Sequence, residues 1–181
     1  MNLPLKHMTA EEFVAWAMTQ ELGRYELIDG VVVTMNSERA SHARVKRRVA
    51  NLLEAALLQR GLQGEVFGDG MAIKIADRIV HEPDAMLRLG PPLDDETVLV
   101  TDPVVVVEVL SPSTGPVDTG VKLVNYFKVP SLKHYLVVNT TRRVVLHYYR
   151  GSDGSAELKV VEQGQIDFGD GLSIGLDELF A

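Results

Sequence analysis

The stretch Val104-Val105-Val106-Val107-Glu108-Val109-Leu110 decides how this chain is read. An apolar run of that length, rich in valine, predicts a strand buried on both faces, as in the middle of a parallel sheet. Glu108 interrupts it near its carboxyl end. A buried charge is costly unless it is paired or bound to a metal. The loop that follows, Ser111-Pro112-Ser113-Thr114-Gly115-Pro116, opens where α/β sheets bind ligands. Fold stability alone gives no reason for a glutamate here. Two readings stand at this point: a functional carboxylate, or a buried glutamate satisfied by a nearby lysine or arginine.

Working outward, a helix is expected over about Asp118–Lys128, ended by Val129-Pro130, and then a strand at His134–Val138. Strand, helix and strand of these lengths form a βαβ crossover, which makes the two strands parallel. Asn139-Thr140-Thr141-Arg142 then turns into an antiparallel strand at Val144–Tyr149. The tail alternates short strands with glycine turns and ends in a helical turn at Leu176–Phe180.

Upstream, Thr9-Ala10-Glu11-Glu12 is a capping box that starts a helix with Phe13 and Trp16 facing inward, stopped by Gly23. Arg24–Ile28 and Val31–Met35 flank Asp29-Gly30, a two-residue hairpin signal. Ser37 or Ser41 is the expected cap of a long helix running to Arg60, with Gly61 as its stop. Val45, Val49, Leu52, Leu53, Ala56 and Leu57 give that helix its apolar stripe. Strands are expected near Glu65–Phe67, Met71–Ile75 and Asp84–Leu89. The fold class is α/β with a mixed sheet flanked by helices, in a single domain over residues 1–181.

Bulk composition excludes several functions. Among 181 residues there is no cysteine, so disulfides and thiolate zinc sites are ruled out. The net charge of −7 argues against a protein that coats nucleic acid non-specifically. It leaves a nuclease open, because carboxylates that bind cations make a site acidic. The first residues lack the apolar core of a signal peptide, and no run approaches the ~20 apolar residues needed to span a bilayer. A cytoplasmic protein without a membrane partner is expected. No glycine-rich phosphate loop of the P-loop kind is present.

Four side chains can carry chemistry together: Asp84, after Pro83; Glu108; Lys122, on the crossover helix; and Glu26, in the first hairpin strand. Two carboxylates on neighbouring strands suit Mg²⁺, a hard cation that prefers oxygen ligands. A nearby ammonium can position an attacking water or stabilise charge on a phosphoryl group. Asp118, Lys122 and Tyr126 follow at intervals of four and share one helix face, from which Lys122 can reach the carboxylates.

The blocks Arg24-Tyr25-Glu26-Leu27-Ile28-Asp29-Gly30, Glu82-Pro83-Asp84, Val106 through Glu108 to Thr114, and Asp118 through Lys122 to Tyr126 resemble a large bacterial family of restriction-endonuclease-like proteins within the PD-(D/E)xK nuclease superfamily. The resemblance runs from Thr9 to Phe180, and its Glu-Val-Leu-Ser-Pro-Ser-Thr block is the specific part. It implies a restriction-endonuclease-like core, with Asp84 and Glu108 as metal ligands and the Val109 carbonyl as a third. In the superfamily's short motif a lysine stands two residues after the acid; here that position is Leu110, and the resemblance points to Lys122 instead. Glu26 and His42 match the family's early acid and histidine and are implied to line the site. Asn139 stands where the family pattern often has Asp.

Each assignment has a plainer counterpart. Asp84 alone reads as a turn residue, Lys122 as a solvated helix charge paired with Asp118, Glu26 as a surface strand residue and His42 as a helix-surface histidine. His81-Glu82-Pro83-Asp84 lacks zinc-motif spacing. Arg44, Lys46, Arg47 and Arg48 wrap around their helix, which favours a solvated face over a phosphate contact. The expected function is a Mg²⁺-dependent endonuclease, Mn²⁺ also serving, acting on DNA as a homodimer. Asp84 and Glu108 hold the metal, Lys122 serves the attacking water or the transition state, and Glu26 and His42 support them. The alternatives are a nuclease-like fold that binds nucleic acid or protein without cleaving, and hydrolysis of another phosphoester.

Overall fold

The computed structural model describes residues 6–35, 37–110 and 116–181, with 116–119 as backbone only. Thr9 caps the first helix, α1 (Ala10–Ala17), through the reciprocal bonds of a capping box with Glu12. It ends at Met18, well before Gly23, which lies in the segment leading into the next strand. Strands β1 (Tyr25–Ile28) and β2 (Val31–Thr34) pair with Ile28 opposite Val31, and Asp29 and Gly30 take positive φ (50° and 84°) between them. That is the two-residue turn whose twist matches the strands.

The long helix α2 spans Ala40–Arg60. Neither Ser37 nor Ser41 caps it: the N-cap is Arg39, with no side-chain bond. Gly61, at φ 62°, closes its other end in the left-handed conformation that glycine adopts at little cost. Strands β3 (Gly64–Gly68), β4 (Ala72–Ala76), β5 (Ile79–His81), β6 (Ala85–Leu89) and β7 (Leu99–Val100) lead to β8 (Pro103–Val109), which contains the decisive valine run. The crossover follows as α3 (Pro116–Tyr126) and β9 (His134–Asn139), and then β10 (Val144–Arg150) and β11 (Ala156–Val161). A ribbon of β12 (Gln165–Asp167) and β13 (Ser173–Gly175) and a last turn, α4 (Leu176–Leu179), complete the chain.

The main sheet has the order β11-β10-β9-β8-β6-β3. Within it β8 and β9 are parallel, Val105 facing His134 and Glu108 facing Val137, while the other pairs are antiparallel. The first hairpin belongs to a second sheet, β2-β1-β5-β4-β7, two of whose strands, β5 and β7, are too short to leave a periodic signal.

Strand alternation sorts β8 between two cores. Val105, Val107 and Val109 join Val45, Val49, Leu53 and Leu57 of α2. Val106 points to the opposite face, with Ile73, Met86, Tyr126 and Tyr135. A period of two carries Glu108 to that second face, at the end where β8 runs out. The strand is thus covered on both sides, as its composition demands.

Candidate active site

Glu108 sits on the last turn of the β8 pleat, facing α3, with 14% of its side chain exposed. Lys122, from the second turn of α3, places Nζ 3.0 Å from Glu108 Oε1 and 3.0 Å from Glu26 Oε1. Tyr126, one turn on, donates its hydroxyl to Glu108 Oε1 at 2.8 Å. The four-residue spacing of Lys122 and Tyr126 is what brings both onto one carboxylate. Asp118, the third member of that spacing, has a side chain outside the described residues, as does the loop 111–115.

Asp84 precedes β6, the neighbour of β8, where Ala85 pairs with Val107. Its backbone N–H donates to the Val107 carbonyl, and its Oδ2 accepts the Val109 N–H at 2.6 Å. The carboxylate is thereby fixed at the open end of β8. Glu26 is buried too, reached across the second sheet: Leu27 pairs with Val80, and Glu26 Oε1 accepts the Glu82 N–H at 3.0 Å. His42, in the first turn of α2, bonds Glu38 through Nδ1 at 2.5 Å and the Val109 carbonyl through Nε2. All five side chains singled out in the sequence, and the Val109 carbonyl, therefore meet at one end of β8.

Three further residues were not foreseen. Lys46 is buried, against the expectation of a solvated basic face; its Nζ lies 2.6 Å from Asp84 Oδ1 and 2.7 Å from Glu38 Oε2. Of its basic neighbours, Arg44 and Arg47 are exposed and Arg48 bonds the Leu179 carbonyl. The usable signal was the interval Glu38, His42, Lys46, which lines up one face of the helix entry. His81 and Asn125 are also buried. Lys128 donates to Asn125 Oδ1 at 2.8 Å, which fixes the amide, and Asn125 Nδ2 then reaches His81 Nε2 at 3.1 Å. That assigns the proton to His81 Nδ1, 3.6 Å from Glu26 Oε1. His81 thus helps to hold Glu26 and is not part of a zinc-like set.

Electrostatics separate the acids. Burial pushes the Glu108 carboxyl up, Lys122 pulls it back, and repulsion from Asp84 and Glu26 leaves it at about 7. Glu26 is as deeply placed, yet His81 and Lys122 outweigh its burial and hold it at about 2. Burial works against the charge of Lys122, but Glu108 and Glu26 keep its ammonium protonated well above the ordinary lysine range. Among the described residues, three carboxylates (Glu26, Asp84, Glu108) face two ammonium groups (Lys46, Lys122).

Like charges forced together, with one of them pushed up, can accommodate a further cation. The donors are carboxylate and carbonyl oxygens, the hard set that Mg²⁺ prefers and softer metals do not. Asp84, Glu108 and the Val109 carbonyl therefore fit a divalent cation that keeps part of its water. Among the described residues no group of three or more His, Asp or Glu side chains forms a ready-made metal cage. The acids carry lysines where such a cage would carry metal.

A mixed sheet flanked by helices, with its acids at the end of a parallel crossover, defines the class as a restriction-endonuclease-like α/β fold. A crystal structure titled "a putative nuclease belonging to DUF820", from Anabaena variabilis, superposes with a TM-score of 0.76 at 14% identity, over 96% of this chain and 97% of that one. The chain belongs to the Uma2 family, described as "putative restriction endonuclease", which it matches over residues 10–177. Two Synechocystis relatives are similar along most of their length: uncharacterized protein slr1290, 30% identical over 84% of this chain and 80% of its own, and uncharacterized protein sll1609, 29% identical over 82% and 84%. Among the described residues no helix is long and apolar enough to cross a membrane.

Proposed function

We propose that this protein is a Mg²⁺-dependent endonuclease that hydrolyses phosphodiester bonds in DNA. The observation that carries the proposal is the convergence of Glu108 and Glu26 on Lys122 at the carboxyl end of β8, with Asp84 fixed beside them by the Val109 N–H. Membership of a family described as "putative restriction endonuclease" supports the reaction class. Restriction-endonuclease-like nucleases usually use divalent metals, and Asp84, Glu108 and the Val109 carbonyl are the residues that would hold one here. When bound, such a cation supplies Lewis acidity toward a phosphoryl oxygen and makes water more acidic.

The remaining work falls to side chains of the chain itself. Lys122 stays protonated, so it serves as a hydrogen-bond donor and positive charge, not as a general base. From its place beside Glu108 it orients the attacking water or meets the charge that builds on phosphorus-bound oxygen. Glu26 holds Lys122 from the other side; the Glu82 N–H holds Glu26, and His81, oriented by Asn125, lies 3.6 Å from it. Tyr126 fixes the Glu108 carboxylate, and His42 fixes the Val109 carbonyl. Such buttressing holds the Glu108 carboxylate and the Val109 carbonyl within the tolerance that catalysis needs.

Incubating plasmid and single-stranded DNA with Mg²⁺ or Mn²⁺, with wild type and Glu108→Ala purified side by side, tests the proposal. Cleavage by wild type alone supports it. Equal cleavage by both points to a contaminant and removes it. Binding of DNA without cleavage by either favours the second reading, a non-catalytic nuclease-like module, for which the lysine-paired acids give specific support. A homodimer in the cytoplasm completes the proposal, since cutting two strands calls for two sites; light scattering on the purified protein decides the dimer.

A further inference from the structure

Lys46 is enclosed by acids from three separate segments, before α2, after β3 and before β6. Its Nζ lies 2.6 Å from Asp84 Oδ1, 2.7 Å from Glu38 Oε2 and 3.4 Å from Asp69 Oδ2, and only 8% of its side chain is exposed. Both Asp84 oxygens are engaged: the other accepts the Val109 N–H. Glu38 and Asp69 lie further out, at 26% and 28% exposure. Glu38 also anchors His42, which touches the Val109 carbonyl. Two side chains of α2, Lys46 and His42, thus sit directly on two of the oxygen donors assigned to the metal, and both are tied to Glu38.

We propose that Lys46 is a built-in competitor of the divalent cation: it neutralises Asp84 while the metal is absent and withdraws onto Glu38 and Asp69 when the metal binds, and so sets the affinity of the site. The proposal rests on the reading of Asp84 as a metal ligand. An ammonium 2.6 Å from a carboxylate oxygen lies where a cation bound to that oxygen would repel it. A lysine can yield because its charge rides on a flexible four-carbon stem with three donors. Two acids remain to receive it, both nearer solvent, so the charge need not be left unpaired in the interior. The arrangement lets three buried or half-buried acids fold without metal, at the expense of affinity.

A plain structural ion pair would anchor α2 to the sheet, and removing it would lower the melting temperature. It would not tighten metal binding. Calorimetric titration of Mn²⁺ and Mg²⁺ into wild type and Lys46→Met separates the two, with Glu108→Ala as the blank. The expected result is a metal Kd about ten-fold lower or more in Lys46→Met, following the removal of a like charge at close range, with a lower metal-free melting temperature that Mn²⁺ largely restores. Lys46→Gln keeps an amide donor toward Asp84 and Glu38 without the charge, and gives the same comparison if the methionine variant does not fold. Unchanged or weaker binding in a folded variant, beside measurable binding in wild type, overturns the role of Lys46 and leaves the metal site standing. No binding by wild type or by either variant overturns the metal reading and this proposal together.

Discussion

Two buried ionic clusters lie at opposite ends of β6, and they are built on opposite principles. At the far end Arg88, 5% exposed, takes Asp102 in a two-pronged bond (3.1 and 3.0 Å), Glu65 at 3.0 Å and the Pro91 carbonyl at 2.5 Å. One deep cation meets shallow anions, and Asp102 is 46% exposed. At the near end the anions are the deep partners, they crowd one another, and Glu108 is pushed up to about 7. In the first arrangement the surplus anion is shallow and water solvates it. In the second the surplus negative charge is held in the interior, where a proton on Glu108 or a further cation would relieve it. Burial of an ion pair therefore says little about function; the depth of the surplus says more.

The widest separation between the two ends should appear in activity. Glu108→Gln keeps the shape of the side chain and removes the charge, and should lower metal-dependent cleavage by about a thousand-fold or more, as expected when a metal ligand and its charge stabilisation are lost. Its metal-free melting temperature should hold or rise, because a repelled carboxylate has gone. Arg88→Met should do the reverse. It should cost about 2–3 kcal/mol in urea unfolding, below the ~3–5 kcal/mol of a fully buried pair because Asp102 can return to water. Cleavage per folded molecule should stay unchanged. A large activity loss at Arg88, or a stability collapse at Glu108, would break the contrast.

The pH dependence of metal-free stability sharpens it further. Glu108 is raised in the fold from 4.5 to about 7, so the folded state holds this proton more tightly than the unfolded chain does. Its contribution is full below pH 4.5 and is lost as pH rises through 7. Glu26 is lowered to about 2, so its contribution is present above 4.5 and lost as pH falls toward 2. His147, which burial and the neighbouring His134 push down to about 4, is a base with a lowered value: its contribution is present above 6.5 and lost as pH falls through 4. His147 thus opposes Glu108 across the same window. The informative quantity is the difference between wild type and Glu108→Gln: it should fall from pH 4.5 to 7, while wild type minus Glu26→Gln should rise from pH 2 to 4.5. Parallel curves for Glu108→Gln and wild type would deny the surplus charge.

Much of this was legible in the sequence because it depends on period and order. The valine run fixed β8, the interval to His134 required the parallel crossover, and the four-residue spacing in α3 put Lys122 and Tyr126 on one face. Lys46 left only the Glu38, His42, Lys46 interval as a signal, because its surroundings come from three separated segments, Glu38, Asp69 and Asp84, and because adjacent arginines mask one inward lysine. Only the rotation of α2, set by Val45 and Val49 against the sheet, turns Lys46 in and Arg44 and Arg47 out. Strands β5 and β7, of three and two residues, carry too few positions to show alternation. The start of α2 has no capping side chain to betray it. His81 and Asn125 needed a third dimension, since the lysine that orients the amide lies in the turn after α3 and the acid lies on the hairpin.

The smallest effect tests the shallow end of the same comparison. Asp102→Asn removes one anion from Arg88, but the carboxylate is 46% exposed and its charge is already well solvated. Arg88 keeps Glu65 and the Pro91 carbonyl. The cost should therefore be ~1 kcal/mol or less, and should shrink in high salt, as for a surface pair. The matching change at the other end, Asp84→Asn, takes the deepest of three anions from Lys46, leaving the shallower Glu38 and Asp69, and should cost more than Asp102→Asn in metal-free protein. If the two asparagine variants unfold at the same urea concentration, depth does not distinguish the two ends of β6. The contrast would then rest on the raised Glu108 carboxyl alone.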